Sequence, residues 1–165
     1  VSSASSDVYK RQIEKLADLN LPNPIIPAKA DAILQSAQEL FAPLNPTVNF
    51  AIGDDFLTKR DEMTPYLLSR FEDLDRALLS SGKKYFIDEV PRGCDFAVFH
   101  HLDLSKKLDN SLLNKFPRLE RFVDDITTID AVRAYLDTRP ELIDISIAPK
   151  LVIEGVPHPT GIQKT

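Results

Sequence analysis

Apolar residues recur along most of this chain at steps of three and four, and that period commits it to helices that must pack on one another. Ile33, Ala37, Leu40, Phe41 and Leu44 make one such stripe, and Met63, Leu67, Phe71, Leu74 and Leu78 make a second. Phe96, Phe99, Leu102 and Leu108 make a third, and Leu119, Phe122, Val123 and Ile126 a fourth. A short fifth comprises Ile129, Val132, Tyr135 and Leu136. A one-sided stripe leaves a helix with a face that water does not tolerate, so each must find a neighbour. No segment alternates convincingly as a half-buried strand would. The expected fold is therefore all-α, a bundle of about five main helices.

Prolines and glycines punctuate that pattern. Pro43 and Pro46 are expected to end or kink the first helix, and Pro65 interrupts the second near its start. The second should stop at SSGKK, where Gly82 can take a left-handed cap. The third, very hydrophobic before Ser105, should be the most buried element. Pro117 sits at the favoured first position of the fourth, and Thr127 with Asp130 resembles a capping box for the fifth. Helical periodicity thus covers residues 28–137. Residues 138–165 carry a short apolar run among prolines and glycines and are expected to wrap the bundle as irregular chain.

Ahead of the helices, LPNPIIP places three prolines in seven residues, a stiff connector, so residues 13–27 look like the end of one packing unit and a linker to the next. Residues 1–12 have a different character. Asp7 to Gln12 is what GAT GTG TAT AAG AGA CAG encodes, which resembles a transposon-end sequencing adapter read in frame, and Ser2 to Ser6 resembles the adjoining adapter. These twelve residues are expected to be an adapter-derived scar that takes no part in the fold.

Charge and cysteine usage narrow the function. Twenty basic residues are interleaved with 25 acidic ones, which leaves no basic stripe for a nucleic-acid backbone. Cys94 is the only cysteine, so an intrachain disulfide is impossible and a reducing compartment is the natural setting. No apolar run reaches the roughly 20 residues of a membrane span. His100 and His101 invite a metal reading, but neighbours on a helix point about 100° apart, and no cysteine or carboxylate has ligand spacing around them. No metal is expected. Cys94 lies beside a helix start, which can lower a thiol pKa, although a small packed residue explains it equally well.

The order of these segments resembles the C-terminal helical domain of cytosolic glutathione transferases, nearest to the mu, sigma and alpha-like classes. The residues that carry the likeness are the proline linker, the kinked and long helices, SGKKYFID from Ser81 to Asp88, and CDF at Cys94 to Phe96. KFPRL at Lys115 to Leu119 and DAVRAYL at Asp130 to Leu136 complete it. It spans Ile13 to Leu136. In that family the buried helix opens with a Ser/Thr-x-x-Asp box. Asp95 matches the acidic position, with a structural role, but Arg92 stands where the hydroxyl belongs and has no acceptor, so half of the box is lost.

The resemblance implies an upstream thioredoxin-like domain, whose tyrosine, serine or cysteine activates the glutathione thiol and which holds most of the tripeptide. No catalytic residue is therefore assigned within this chain, and Tyr9 lies in the adapter-like segment. The helical half would supply Glu39 to the glutathione ammonium across a dimer interface, by a charge-assisted contact. An ordinary exposed helix glutamate is the plainer reading of that position. Phe41, Thr47 and Phe50, with the tail near Val156 to Pro159, would line the pocket for an apolar electrophile. Of these Phe41 also reads as core. Glutathione would be the co-substrate, the assembly a cytoplasmic homodimer active in detoxification, and the chain alone inactive. The alternative is a non-catalytic interaction module, since translation factors and tRNA synthetases use the same helical fold for assembly. A ligand-storage relative is a third reading.

Overall fold

Two prolines do not stop the first helix. In the computed structural model, which describes residue 12 and residues 25–161, α1 runs unbroken over Ile25–Phe50 with Pro43 and Pro46 inside it. The expectations for residues 1–11 and 13–24 lie outside the described residues, and of the expected linker Ile25 to Pro27 are helical. The helix starts at Ile25, three residues before the stripe suggests, with Pro27 in its first turn, where a missing N–H costs nothing. Further along, each internal proline removes the donor owed to the carbonyl four residues back. Pro43 thereby frees the Glu39 carbonyl, and the Tyr66 hydroxyl donates to it from the next helix at 3.4 Å. The following turns gain local bonds, from the Thr47 hydroxyl to the Pro43 carbonyl at 2.9 Å and from Asn49 Nδ2 to the Asn45 carbonyl at 2.9 Å.

α2 spans Gly53–Ser81 and continues through Pro65. It ends as the glycine predicts, with Gly82 left-handed at φ 63° and its N–H donating to the Leu79 carbonyl. α3, Gly93–Leu108, is the most buried helix and lies chiefly against α1. Its inward face holds Val98, Leu102 and Leu108, together with the polar Asp95, His101 and Ser105. Of the expected stripe, Phe99, Leu102 and Leu108 are buried, whereas Phe96 is 40% exposed, because Asp95 takes the buried position at the start of the helix. A 3₁₀ turn at Leu112–Lys115 leads into α4, Pro117–Thr127, which buries Leu119, Phe122, Val123 and Ile126 as expected.

α5, Asp130–Thr138, is laid on the outside. None of its residues is fully buried, Tyr135 points to solvent, and Val132 and Leu136 are half-covered by the core. The expected Thr127–Asp130 capping box does not form. Thr127 closes α4 and its hydroxyl donates back to the Asp124 carbonyl at 2.7 Å, while Asp130 pairs with Arg133. Arg139 Nη2 then ties the end of α5 to Asp103 of α3 at 2.7 Å.

The core is one continuous cluster whose aromatics meet edge to face. Phe71 meets Phe116 at 5.8 Å, and Phe122 meets both Tyr85, at 6.2 Å, and Phe86, at 5.2 Å. Each such buried side chain is worth roughly 1.5–3 kcal/mol of transfer free energy, which is what holds these helices together.

The tail is more ordered than expected. β1 (Glu141–Ile143), β2 (Lys150–Ile153) and β3 (Val156–Pro159) form a three-stranded antiparallel sheet in that order. Glu154 and Gly155, at φ 50° and 79°, make the two-residue turn with two positive φ values that suits a tight hairpin. Strands of three and four residues are too short to show an alternating pattern, which is why the sequence reads as irregular. Pro157 and Pro159 keep β3 an edge strand.

Candidate functional site

Two features of α1 come together with chemistry-bearing neighbours, one at its middle and one at its end. At the middle, the Glu39 carboxylate is half-exposed and takes an ion pair from Arg70 Nη1 at 3.2 Å. Arg70 Nη2 also meets Asp73 at 2.7 Å, and its guanidinium lies over the Tyr66 ring at 5.9 Å. Tyr66 and Arg70 are four positions apart on α2 and so share the face that looks at α1. The backbone and side chain of Glu39 are therefore both held from the facing helix. A carboxylate kept at the surface by one partially exposed arginine retains free lone pairs for a second cation.

At the end of α1 the chain folds back on itself. Gly53, at φ 54°, donates its N–H to the Ser146 carbonyl at 2.7 Å, and Ile52 bridges to Ser146. The Thr160 hydroxyl reaches the Asn49 carbonyl and the Pro149 carbonyl. Between these clamps is a cleft of about 200 Å³, with Phe50 and Ile52 on one wall and Pro149, Lys150, Pro159 and Thr160 on the other. Phe50 is 53% exposed, and Lys150 Nζ is steadied by Asp144 at 2.7 Å. The cleft is apolar with one cation at its rim.

The expected pocket residues do not all meet. Phe50 and the Pro159 end of the tail line one cleft. Thr47 is buried at 2% exposure with its hydroxyl committed to Pro43, so it belongs to the core. Phe41 sits elsewhere, its ring edge-on to buried His101 at 5.8 Å. Nine helix positions turn through about 900°, so Phe41 and Phe50 project from nearly opposite sides of α1. Glu39 and Phe50, eleven positions apart, fall within about 20° of one another and roughly 16 Å apart along the axis.

Asp95 underpins this arrangement from inside. It is fully buried at the start of α3, where Oδ1 accepts the Phe86 N–H at 2.9 Å and Oδ2 accepts the Arg92 N–H at 2.7 Å. Burial pushes its carboxyl above the ordinary 3.8, and the two amide bonds only partly offset that. The side chain of Arg92 turns outward to Asp88 at 3.0 Å, leaving the Asp95 amide to the Arg92 carbonyl. Half a capping box is present, as the residue types require.

Tyr66, Lys150 and Thr160 were not singled out from the sequence, and Arg70 reads there as part of a solvated helix face, whereas it turns toward Glu39. Tyr66 and Arg70 had a legible signal, an i, i+4 pair on a helix beside a proline-broken one. Thr160 had none, because its partners lie far away in the chain. Among the described residues no group of three His, Cys, Asp or Glu side chains could hold a metal, and no helix is long and apolar enough to cross a membrane.

The family profile described as glutathione S-transferase, C-terminal domain, matches residues 49–139. Among solved structures, NaGST-2 superposes with a TM-score of 0.72 at 18% identity, over 82% of this chain and 68% of that one. The Pi-class glutathione S-transferase of Onchocerca volvulus gives 0.70 at 20% identity, over 80% and 63%. Rat hPGDS, complexed with a quinoline, gives 0.63 at 23%, over 79% and 65%. The chain thus spans about two thirds of the length of each of these structures. No curated protein matches it.

Proposed function

Since this chain belongs to the glutathione S-transferase C-terminal domain family, we propose that it forms the electrophile-binding half of a glutathione transferase. The parent enzyme conjugates the glutathione thiolate to an apolar electrophile, and a thioredoxin-like domain outside this chain activates the thiol. Phe50, with Pro149 and Pro159 opposite, forms one wall of the electrophile site. Glu39 receives the glutathione ammonium across a homodimer interface, and Arg70 positions its carboxylate without neutralising it fully. Phe41 and Thr47 act through packing. The parent works in the cytoplasm, in detoxification.

The observation that carries this reading is the cleft at Phe50. Its volume of about 200 Å³ is below the roughly 300–1,000 Å³ of a complete small-molecule site, its lining is apolar, and it is open. It has the character of one side of a pocket that a second body would close.

The test is titration of the full chain with an apolar aryl electrophile, followed residue by residue in NMR spectra. Shifts should concentrate at Phe50, Ile52 and Pro159 to Gly161, and Phe50→Ala should weaken binding about tenfold, equivalent to about 1.4 kcal/mol. Shifts elsewhere, or none, defeat the assignment. In the parent enzyme, Glu39→Gln should raise KM for glutathione and leave kcat nearly unchanged, because it removes a binding contact remote from the sulfur.

A further inference from the structure

A second cleft lies at the other end of α2. It measures about 430 Å³, within the range of small-molecule sites. Its floor is apolar, from Leu78, Leu79 and Phe122, and its rim carries Lys83, Lys84, Arg118 and Arg121 against the single carboxylate of Asp125. Four cations around one cleft run against the balance of a chain whose net charge is −5.

Part of that charge has a structural explanation. Lys83 and Lys84 follow the C-terminus of α2, where cations offset the negative end of the helix dipole. Lys84 Nζ pairs with Asp125 at 3.3 Å and Arg118 pairs with Asp75. Lys83 holds Glu89 only loosely, at 3.6 Å. Arg121 has neither explanation: it is exposed, belongs to the facing helix α4, and forms no ion pair among the described residues. Arg118 and Arg121 are three positions apart on α4, so their guanidinium forks lie over the same cleft. Planar forks beside an apolar floor suit a flat or tetrahedral oxyanion carried on an apolar body.

We propose that this cleft binds a small organic oxyanion, its carboxylate or phosphate held by Arg121 and Lys83 and its apolar part laid on Leu79. The site is separate from the cleft at Phe50. The two flank opposite ends of α2, whose 29 residues span roughly 43 Å at 1.5 Å per residue, so neither ligand reaches the other. Binding here does not require the conjugation reaction and holds whether or not the Phe50 cleft takes an electrophile.

The test is NMR titration of the full chain with 1-naphthyl phosphate, 1-naphthoate, inorganic phosphate and naphthalene. One or both naphthyl anions should shift Leu79, Lys83, Lys84 and Arg121, and the tighter of the two identifies the oxyanion. The tighter of the two should bind at least tenfold more tightly than inorganic phosphate or naphthalene alone. Arg121→Glu should weaken the anion at least tenfold, and Lys83→Glu should do the same, with unchanged circular dichroism. Phe50→Ala should leave the affinity unaltered. Equal binding of inorganic phosphate, unaltered affinity in Arg121→Glu, or shifts confined to other residues would overturn the proposal.

Discussion

Asp95 shows how one buried carboxylate is made tolerable and what that implies for pH. Its two oxygens satisfy the amides of Phe86 and Arg92, linking the loop after α2 to the start of α3. Asp95→Ala would leave both amides without a partner, at a cost of about 1–3 kcal/mol each, measurable by urea unfolding. Because burial raises the folded-state carboxyl above its ordinary 3.8, the folded chain binds this proton more tightly than the unfolded one. The stabilisation from that proton is complete below the ordinary value and is lost as pH rises through the raised one. The stability difference between the wild-type chain and Asp95→Asn should therefore move in favour of wild type on acidification from neutral pH toward about 4. A difference that stays flat, or moves the other way, would show the amide bonds outweighing burial. Arg92→Ser should add the missing acceptor, a gain of about 1 kcal/mol, slightly offset by loss of the solvent-screened pair with Asp88.

Among the elements, the sequence was informative wherever burial imposes a period. The four main stripes were legible because a helix with one wet face repeats that asymmetry along its length, and α2 and α4 follow it residue for residue. Legibility failed where another constraint took over. Pro43 and Pro46 were read as an end or a kink, yet the helix runs through both, the Tyr66 hydroxyl takes the Glu39 carbonyl that Pro43 exposes, and a residue on another helix cannot be seen in the local pattern. The tail sheet was hidden by the shortness of its strands. Of the candidate site, Phe50 was singled out from its proline-broken context and lines a cleft with Pro159, whereas nothing in the local pattern separates it from Thr47, which is buried. The stop of α2 rests on Gly82, whose added Cβ would meet nothing within 4 Å although φ is +63°. Gly82→Ala should therefore cost conformational energy alone, about 1–2 kcal/mol, and lower Tm by roughly 2–4 °C per kcal/mol. Gly161→Ala is the control, because its φ is not in the left-handed region and the nearest atom, Phe50 Cδ1, is at an ordinary 3.9 Å.

For the molecule as a whole, what distinguishes this surface is where apolar side chains remain exposed. Phe50 and Ile52 are 53% and 52% exposed at the α1–α2 junction, and the bridge between Ile52 and Ser146 brings Ile147, 75% exposed, close beside them. Single exposed apolar residues are ordinary, but a group of large ones at the mouth of a cleft marks a surface that binds something. If the Phe50 cleft is one side of a shared pocket, this patch should seek apolar cover when the chain is alone. It should then enhance the fluorescence of a hydrophobic dye and drive concentration-dependent association in sedimentation. Covering one large aliphatic side chain is worth roughly 1.5–3 kcal/mol, so Ile147→Glu should weaken that association by about tenfold or more and reduce the dye signal. Its position on a surface turn, away from the helical core, means that thermal stability should change little. A chain that sediments as a dye-silent monomer at every concentration would show this patch to be inert, and the part-pocket reading of the Phe50 cleft would lose its physical basis.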